Sequence, residues 1–263
     1  MPIPTSLLKR WVIQPVPKPN MKLRLFAFPY AGGGASIFAS WPHLLPADVE
    51  LCAVQMPGRE GRLGECPITC WEDAIPKLAE GLMPVLDRPF AFFGHSLGAA
   101  LAFELARHLR RHLQPCPVHL FVSGRSAPHL PHEKSPTYNL PRAQFVRELG
   151  RWGTPREVLI DPELLNVFLP LLRADFGLSE MHVYRPEVPL ATPISAYGGE
   201  HDAHVLPAKL DRWADLTSAA FRRVLFPGGH FFLNEHRAIV VSELAKELNT
   251  ITAKKAPALQ PSV

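Results

Sequence analysis

Residues 90 to 113 constrain the fold of this chain more than any other stretch. Four apolar residues, Phe90-Ala91-Phe92-Phe93, run straight into Gly94-His95-Ser96-Leu97-Gly98, and these into the clearest helical pattern in the sequence. Leu97, Leu101, Leu105 and Leu109 recur every four residues, with Glu104, Arg107 and Arg111 off that stripe. A buried strand that meets a helix without a spacer needs a sharp turn, and glycine on both sides of a serine removes the side chains that would collide there. Ala99 and Ala100 let the helix approach the sheet. Such a turn lifts the Ser96 hydroxyl clear of the sheet, at the positive end of the helix dipole. The letters G-x-S-x-G alone would fit any glycine-containing turn; between this strand and this helix they mark Ser96 as a candidate nucleophile.

The rest of the chain repeats the alternation. Residues 22–28, 49–54, 118–122, 194–197 and 221–226 read as further strands, and residues 71–86, 97–113, 207–216 and 233–248 as helices. That order predicts an α/β fold with a mainly parallel central sheet and helices on both faces. Residues 135–185 break the rhythm with helices at 142–149 and 162–176 and no strand. They read as a helical lid insertion, or else as ordinary helical packing, and their many apolar residues need burial either way. With 263 residues and 47% hydrophobic side chains the chain can bury one sizeable core. The expectation is a single domain over 1–263, with a core at about 20–134 and 186–250, the lid at 135–185 and a loose tail at 253–263.

Composition narrows the function classes. The net charge of +4 is mildly basic, which suits an acidic partner. No basic block alternates with aromatic residues, so nucleic acid is not expected. The run Arg107-His108-Leu109-Arg110-Arg111 ends a helix, where cations suit the dipole. No run of eighteen apolar residues suggests a membrane span. The opening Met1-Pro2-Ile3-Pro4 lacks the order of a secretory signal, so a cytoplasmic location is expected. Cys52, Cys66, Cys70 and Cys116 form no disulfide or zinc pattern, so no metal is expected.

A serine hydroxyl needs a base. Where the nucleophile stands on such a turn, the chain order is serine, acid, histidine. Gly228-Gly229-His230-Phe231-Phe232 follows the strand at 221–226 and offers His230; His95, inside the turn, cannot serve its own neighbour. The acid belongs on the loop after the preceding strand, where Tyr197-Gly198-Gly199-Glu200-His201-Asp202 offers Asp202, favoured by position, with Glu200 as the alternative. Donors for a developing oxyanion come from the amide of Leu97 and from the loop Pro29-Tyr30-Ala31-Gly32-Gly33-Gly34, where the amide of Ala31 is the candidate.

Taken in order, Phe28-Pro29-Tyr30-Ala31-Gly32-Gly33, Met56-Pro57-Gly58-Arg59-Glu60, Gly94-His95-Ser96-Leu97-Gly98-Ala99 and Gly229-His230-Phe231-Phe232 resemble the motif series of type II thioesterases, stand-alone enzymes that accompany polyketide synthases and nonribosomal peptide synthetases. The resemblance runs from about residue 23 to about 248. It implies an α/β-hydrolase fold and a Ser96, Asp202, His230 triad. It also implies hydrolysis of acyl thioesters on the phosphopantetheine arm of acyl or peptidyl carrier proteins, with no cofactor of the enzyme's own. A monomer is expected. Arg59, Arg62 and Arg125, near predicted strand ends, are candidates for guiding the carrier, with solvated charge as the equal alternative. Animal medium-chain fatty acyl thioesterases share the motifs. A carboxylesterase or lipase, and a binding protein on an idle hydrolase fold, are the other readings.

Overall fold

The structure, a computed structural model, describes residues 10–131, 133, 135–154 and 156–254. Seven strands form one sheet: β1 Val12–Ile13, β2 Leu23–Phe28, β3 Val49–Val54, β4 Phe90–His95, β5 His119–Ser123, β6 Ile194–Gly199 and β7 Phe221–Phe226. Their spatial order is β1-β3-β2-β4-β5-β6-β7. β1 runs antiparallel to β3, and every other neighbouring pair is parallel. Two-residue β1 escaped the sequence reading because it is too short to show a period.

Parallel strands covered on both faces must be apolar on both, and β2 shows how. Phe26 and Phe28 point into one core layer with Phe90, Phe92 and Val122. Leu23, Leu25 and Ala27 point into the other with Ala91, Phe93 and Phe121. Helices α1 (Trp71–Leu82) and α2 (Leu97–Arg111) cover the first layer through Leu78, Leu82, Leu101 and Leu105. The last helix among the described residues covers the second through Val240, Val241, Leu244 and Leu248. Edge-to-face pairs such as Phe26–Phe92, with ring centroids 5.9 Å apart, fill the first layer.

Between β5 and β6 lie α3 (Arg142–Arg151), α4 (Arg156–Ile160) and α5 (Pro162–Glu180). Asp161 caps α5 by accepting from the amides of Glu163 and Leu164, and Pro162 stands at the first helical position. Phe145, Leu149, Leu165, Leu169, Leu172 and Phe176 form a small core of their own, while Leu178 near the end of α5 joins the first sheet layer. Beyond β6 the expected helix at 207–216 divides into α6 (Pro207–Asp211) and a 3-10 turn, Arg212–Leu216. The expected helix at 233–248 divides at His236 into α7 (Phe232–Glu235) and α8 (Arg237–Ala253). The expected helix at 71–86 ends at Leu82 and tightens into a 3-10 turn at Met83–Val85, where Pro84 has no amide to give an α-helix. Ala253 closes α8, and the tail expected beyond it lies, from 255 on, outside the described residues.

Candidate active site

The parallel strands end along one edge of the sheet, and the loops leaving β4, β6 and β7 converge there. At the end of β4, Ser96 takes φ 53° and ψ −113°, a conformation that residues with a Cβ rarely adopt. Its amide donates to the Ser123 carbonyl at 2.7 Å, which ties the turn to β5. The flanking glycines are required by contact. A Cβ on Gly94 would sit 2.2 Å from the Gly98 carbonyl oxygen, and one on Gly98 would sit 2.1 Å from that of Phe28.

The loops after β6 and β7 pack backbone against backbone. The His201 amide donates to the Gly228 carbonyl at 3.0 Å, and a Cβ on Gly199 would meet the Gly229 oxygen at 2.3 Å. This contact delivers Asp202 to His230. Nδ1 of His230 lies 2.8 Å from Oδ2 of Asp202, and Nε2 lies 3.2 Å from Oγ of Ser96. An ionised carboxylate only accepts, so Nδ1 carries the proton and Nε2 presents its lone pair to the serine hydroxyl. The other oxygen of Asp202 accepts from the amides of His204 and Val205 at 2.8 and 3.1 Å. Burial opposes ionisation of Asp202, but the hydrogen bond and charge of His230, with these two amides, outweigh it and hold the carboxyl below its ordinary range. Glu200, the alternative acid, is exposed.

The two candidate oxyanion donors sit where β4 and β2 end. Leu97 opens α2, and Ala31 lies in the loop after β2, whose turn is closed by the Gly33 amide donating to the Tyr30 carbonyl at 2.9 Å. Neither the Ala31 nor the Leu97 amide has a protein acceptor among the described residues.

Three residues complete the surroundings, of which the sequence reading weighed only His95, and only as a base that it set aside. Trp152, where α3 ends, stacks on His204 at 3.8 Å and stands edge-on to His230 at 5.3 Å, so the insertion roofs the histidine. His95 is fully buried, its ring 5.3 Å from that of His230, with Nδ1 2.8 Å from Oγ of Ser123. Burial, reinforced by the charge of His230, pushes it down to about 3, so it stays neutral. Asp175, on α5, is buried and paired with Arg59. The available signal for Asp175 was its place in the apolar run Leu171 to Leu178, since a charge buried among such residues needs a partner. Trp152 and His95 gave no such signal.

Two of the three arginines considered for guiding a carrier are corrected by their burial. Arg59 is 3% exposed and its guanidinium is taken up by Asp175. Arg62 is also buried, with Nη1 on the Gln55 carbonyl, Nη2 on Glu65 and the guanidinium over the Trp11 ring. Both guanidiniums are engaged by partners within the chain. Arg125 borders the cavity beside Ser96, held by the hydroxyl and carbonyl of Ser179. That cavity measures about 390 Å³ and runs under the insertion from Ser96 and His230 to Thr137 and Glu180.

A parallel sheet, a serine on a strained strand-to-helix turn, and a histidine and carboxylate brought to it from the last two strands define the α/β-hydrolase class. Within that class the chain belongs to the thioesterase family: the family description Thioesterase domain matches residues 23–248. It is a thioester hydrolase of the type II kind. The gramicidin S biosynthesis protein GrsT of Aneurinibacillus migulanus is 42% identical over 251 residues, covering 95% of this chain and 98% of that protein. The type II thioesterase BorB of the borrelidin biosynthetic cluster superposes with a TM-score of 0.80 at 32% identity, covering 91% of this chain and 96% of BorB. The medium-chain S-acyl fatty acid synthase thioesterase of Rattus norvegicus is 34% identical over 244 residues, covering 89% of this chain and 92% of that enzyme.

Proposed function

We propose that this enzyme hydrolyses acyl thioesters carried on the phosphopantetheine arm of acyl or peptidyl carrier proteins, clearing unwanted acyl groups from a polyketide or nonribosomal peptide synthase. The observation that carries the chemistry is the continuous hydrogen-bonded line from Asp202 through His230 to Ser96. His230 takes the Ser96 proton as the oxygen attacks the thioester carbonyl, and Asp202 stabilises the imidazolium that forms. The amides of Leu97 and Ala31 hold the oxyanion. The thiol leaves with the proton from His230. A water molecule, deprotonated by the same imidazole, then releases the acid from Ser96.

The cavity beside Ser96 mixes polar groups such as Ser126, Thr137 and Glu180 with apolar ones such as Leu130, Trp152 and Val205, so it can take an acyl group of either character. The arm is the partner's, so the enzyme brings no cofactor of its own. The reading includes a monomeric protein working in the cytoplasm. Arg125, at the cavity, is the remaining candidate for contact with the arm.

Intact-mass analysis of a panel of acyl-loaded carrier proteins, before and after exposure to the enzyme, tests this reading. Acyl groups are expected to be lost from the carriers and to be retained with Ser96→Ala. Equal loss with Ser96→Ala rejects the mechanism. Loss confined to medium-chain fatty acyl carriers moves the function to release of fatty acids.

A further inference from the structure

The Arg59–Asp175 pair plays no part in the serine chemistry and is closed to the outside, with exposures of 3% and 1%. Asp175 accepts from Nη1 and Nη2 of Arg59 through its two oxygens at 2.8 and 2.9 Å, the flat two-pronged match that a lysine cannot make. Each partner also reaches the backbone of one loop. Oδ2 of Asp175 accepts from the Gly32 amide at 2.7 Å, and Nη1 of Arg59 donates to the Gly33 carbonyl at 3.1 Å. The pair therefore holds the peptide group between Ala31 and Gly32 and the one after Gly33.

The Gly33 amide, between these anchors, donates back to the Tyr30 carbonyl ahead of them at 2.9 Å. A trans peptide group is planar, with its carbonyl and amide on opposite sides. Holding the Tyr30 oxygen therefore sets the direction of the Ala31 N–H, which belongs to the same group. Three consecutive glycines, with Gly32 at φ 77°, make this loop soft on its own. Leu172, one turn before Asp175 on α5, stands 2.7 Å from where a Cβ of Gly32 would be, so the helix also presses on the loop. From the other side, Gln55 accepts from the Ala35 amide and donates to the Arg59 carbonyl, both at 2.8 Å.

A buried ion pair stabilises a fold little better than apolar side chains of the same volume, and often less well. Its value here lies in aim. We infer that Arg59 and Asp175 are positioning residues: they hold the Tyr30–Gly34 loop with the Ala31 amide directed at the carbonyl oxygen under attack, and through Asp175 the seating of α5 sets that aim. The roof over the site and one of its oxyanion donors are then a single mechanical unit, and the enzyme is competent only with α5 in place. This rests on Ala31 serving as an oxyanion donor in the reaction proposed above.

The test replaces both charges with apolar groups of similar bulk, Arg59→Met with Asp175→Leu, which strands no charge in the interior. Wild type, the double variant and Ser96→Ala are compared on an acyl-N-acetylcysteamine thioester, with thiol release and thermal melting as readouts. The double variant is expected to melt near wild type and keep its KM, while kcat falls about 10- to 100-fold, short of the roughly 100- to 1,000-fold loss on deleting a donor outright. A folded double variant with wild-type kcat overturns the inference, because a purely structural pair would move melting and leave kcat alone. If the double variant does not fold, Asp175→Asn, which keeps the size and one acceptor oxygen, decides: lower kcat at constant KM supports the inference and unchanged kcat rejects it. A wild type that releases no thiol, or a Ser96→Ala protein that releases it equally fast, removes the underlying hydrolase reading instead.

Discussion

Asp202 illustrates how a single side chain is tuned by its setting. It has no exposed side-chain surface and accepts from His230 and two amides. Asp202→Asn would keep the shape and turn an amide group toward Nδ1, which favours the wrong tautomer of His230. We expect kcat to fall about 10⁴-fold with the fold intact, measured as thiol release beside a circular dichroism spectrum. Its depressed carboxyl also has a consequence for stability. The contribution is full above the ordinary carboxylate value and is lost as pH falls through the lower value that the fold imposes. The glycines that local backbone geometry demands, Gly94 and Gly98, were legible in the sequence because the turn admits so few alternatives, and they marked Ser96 between them. The choice between Asp202 and Glu200 rested on position, and the structure gives its reason: one side chain faces His230 and the other faces solvent. Arg59 and Arg62 were misread because a sequence displays charge but not burial, and the partner of Arg59 lies 116 residues away.

At the scale of elements, the long periodic ones were legible and the joints between them were not. The helix after Ser96 was expected to reach 113 and ends at Arg111. The helix expected at 162–176 runs through Gly177 and continues to Glu180, with Leu178 still buried against the sheet. The break at His236 depends on backbone angles that no periodicity displays. How α5 is fastened was also invisible, because it depends on one carboxylate meeting two loops. That fastening supports a prediction of its own. Arg59→Ala would leave Asp175 charged and without its ion-pair partner in the interior, and should destabilise the protein by about 3–5 kcal/mol. The midpoint of urea unfolding measures this, and a shift under 1 kcal/mol would show that water reaches the pair freely.

Across the whole molecule, two histidines set a limit on the acid side. His95 is held down to about 3 by burial and by His230, against the pull of Asp202. His119, stacked on Phe121 and bonded to Ser195, is held down to about 4 by burial. Unfolded, each would titrate at about 6.5. The unfolded chain therefore binds more protons in this window, and stability is lost as pH falls from about 6.5 toward those lower values. Denaturation midpoints measured from pH 7 to pH 4 should show the decline, and His95→Gln, neutral throughout and able to bond Ser123, should flatten it. A slope identical to wild type would mean that His95 is already protonated in the fold. The sheet order adds a consequence in time. Ser96 leaves the ribosome 134 residues before His230, and His230 follows β7, the last strand, which pairs only with β6. A nascent chain that has made β4 but not β7 therefore carries its alcohol inert, and the capacity to cut an acyl bond arrives in one step, when β7 docks at the sheet's edge.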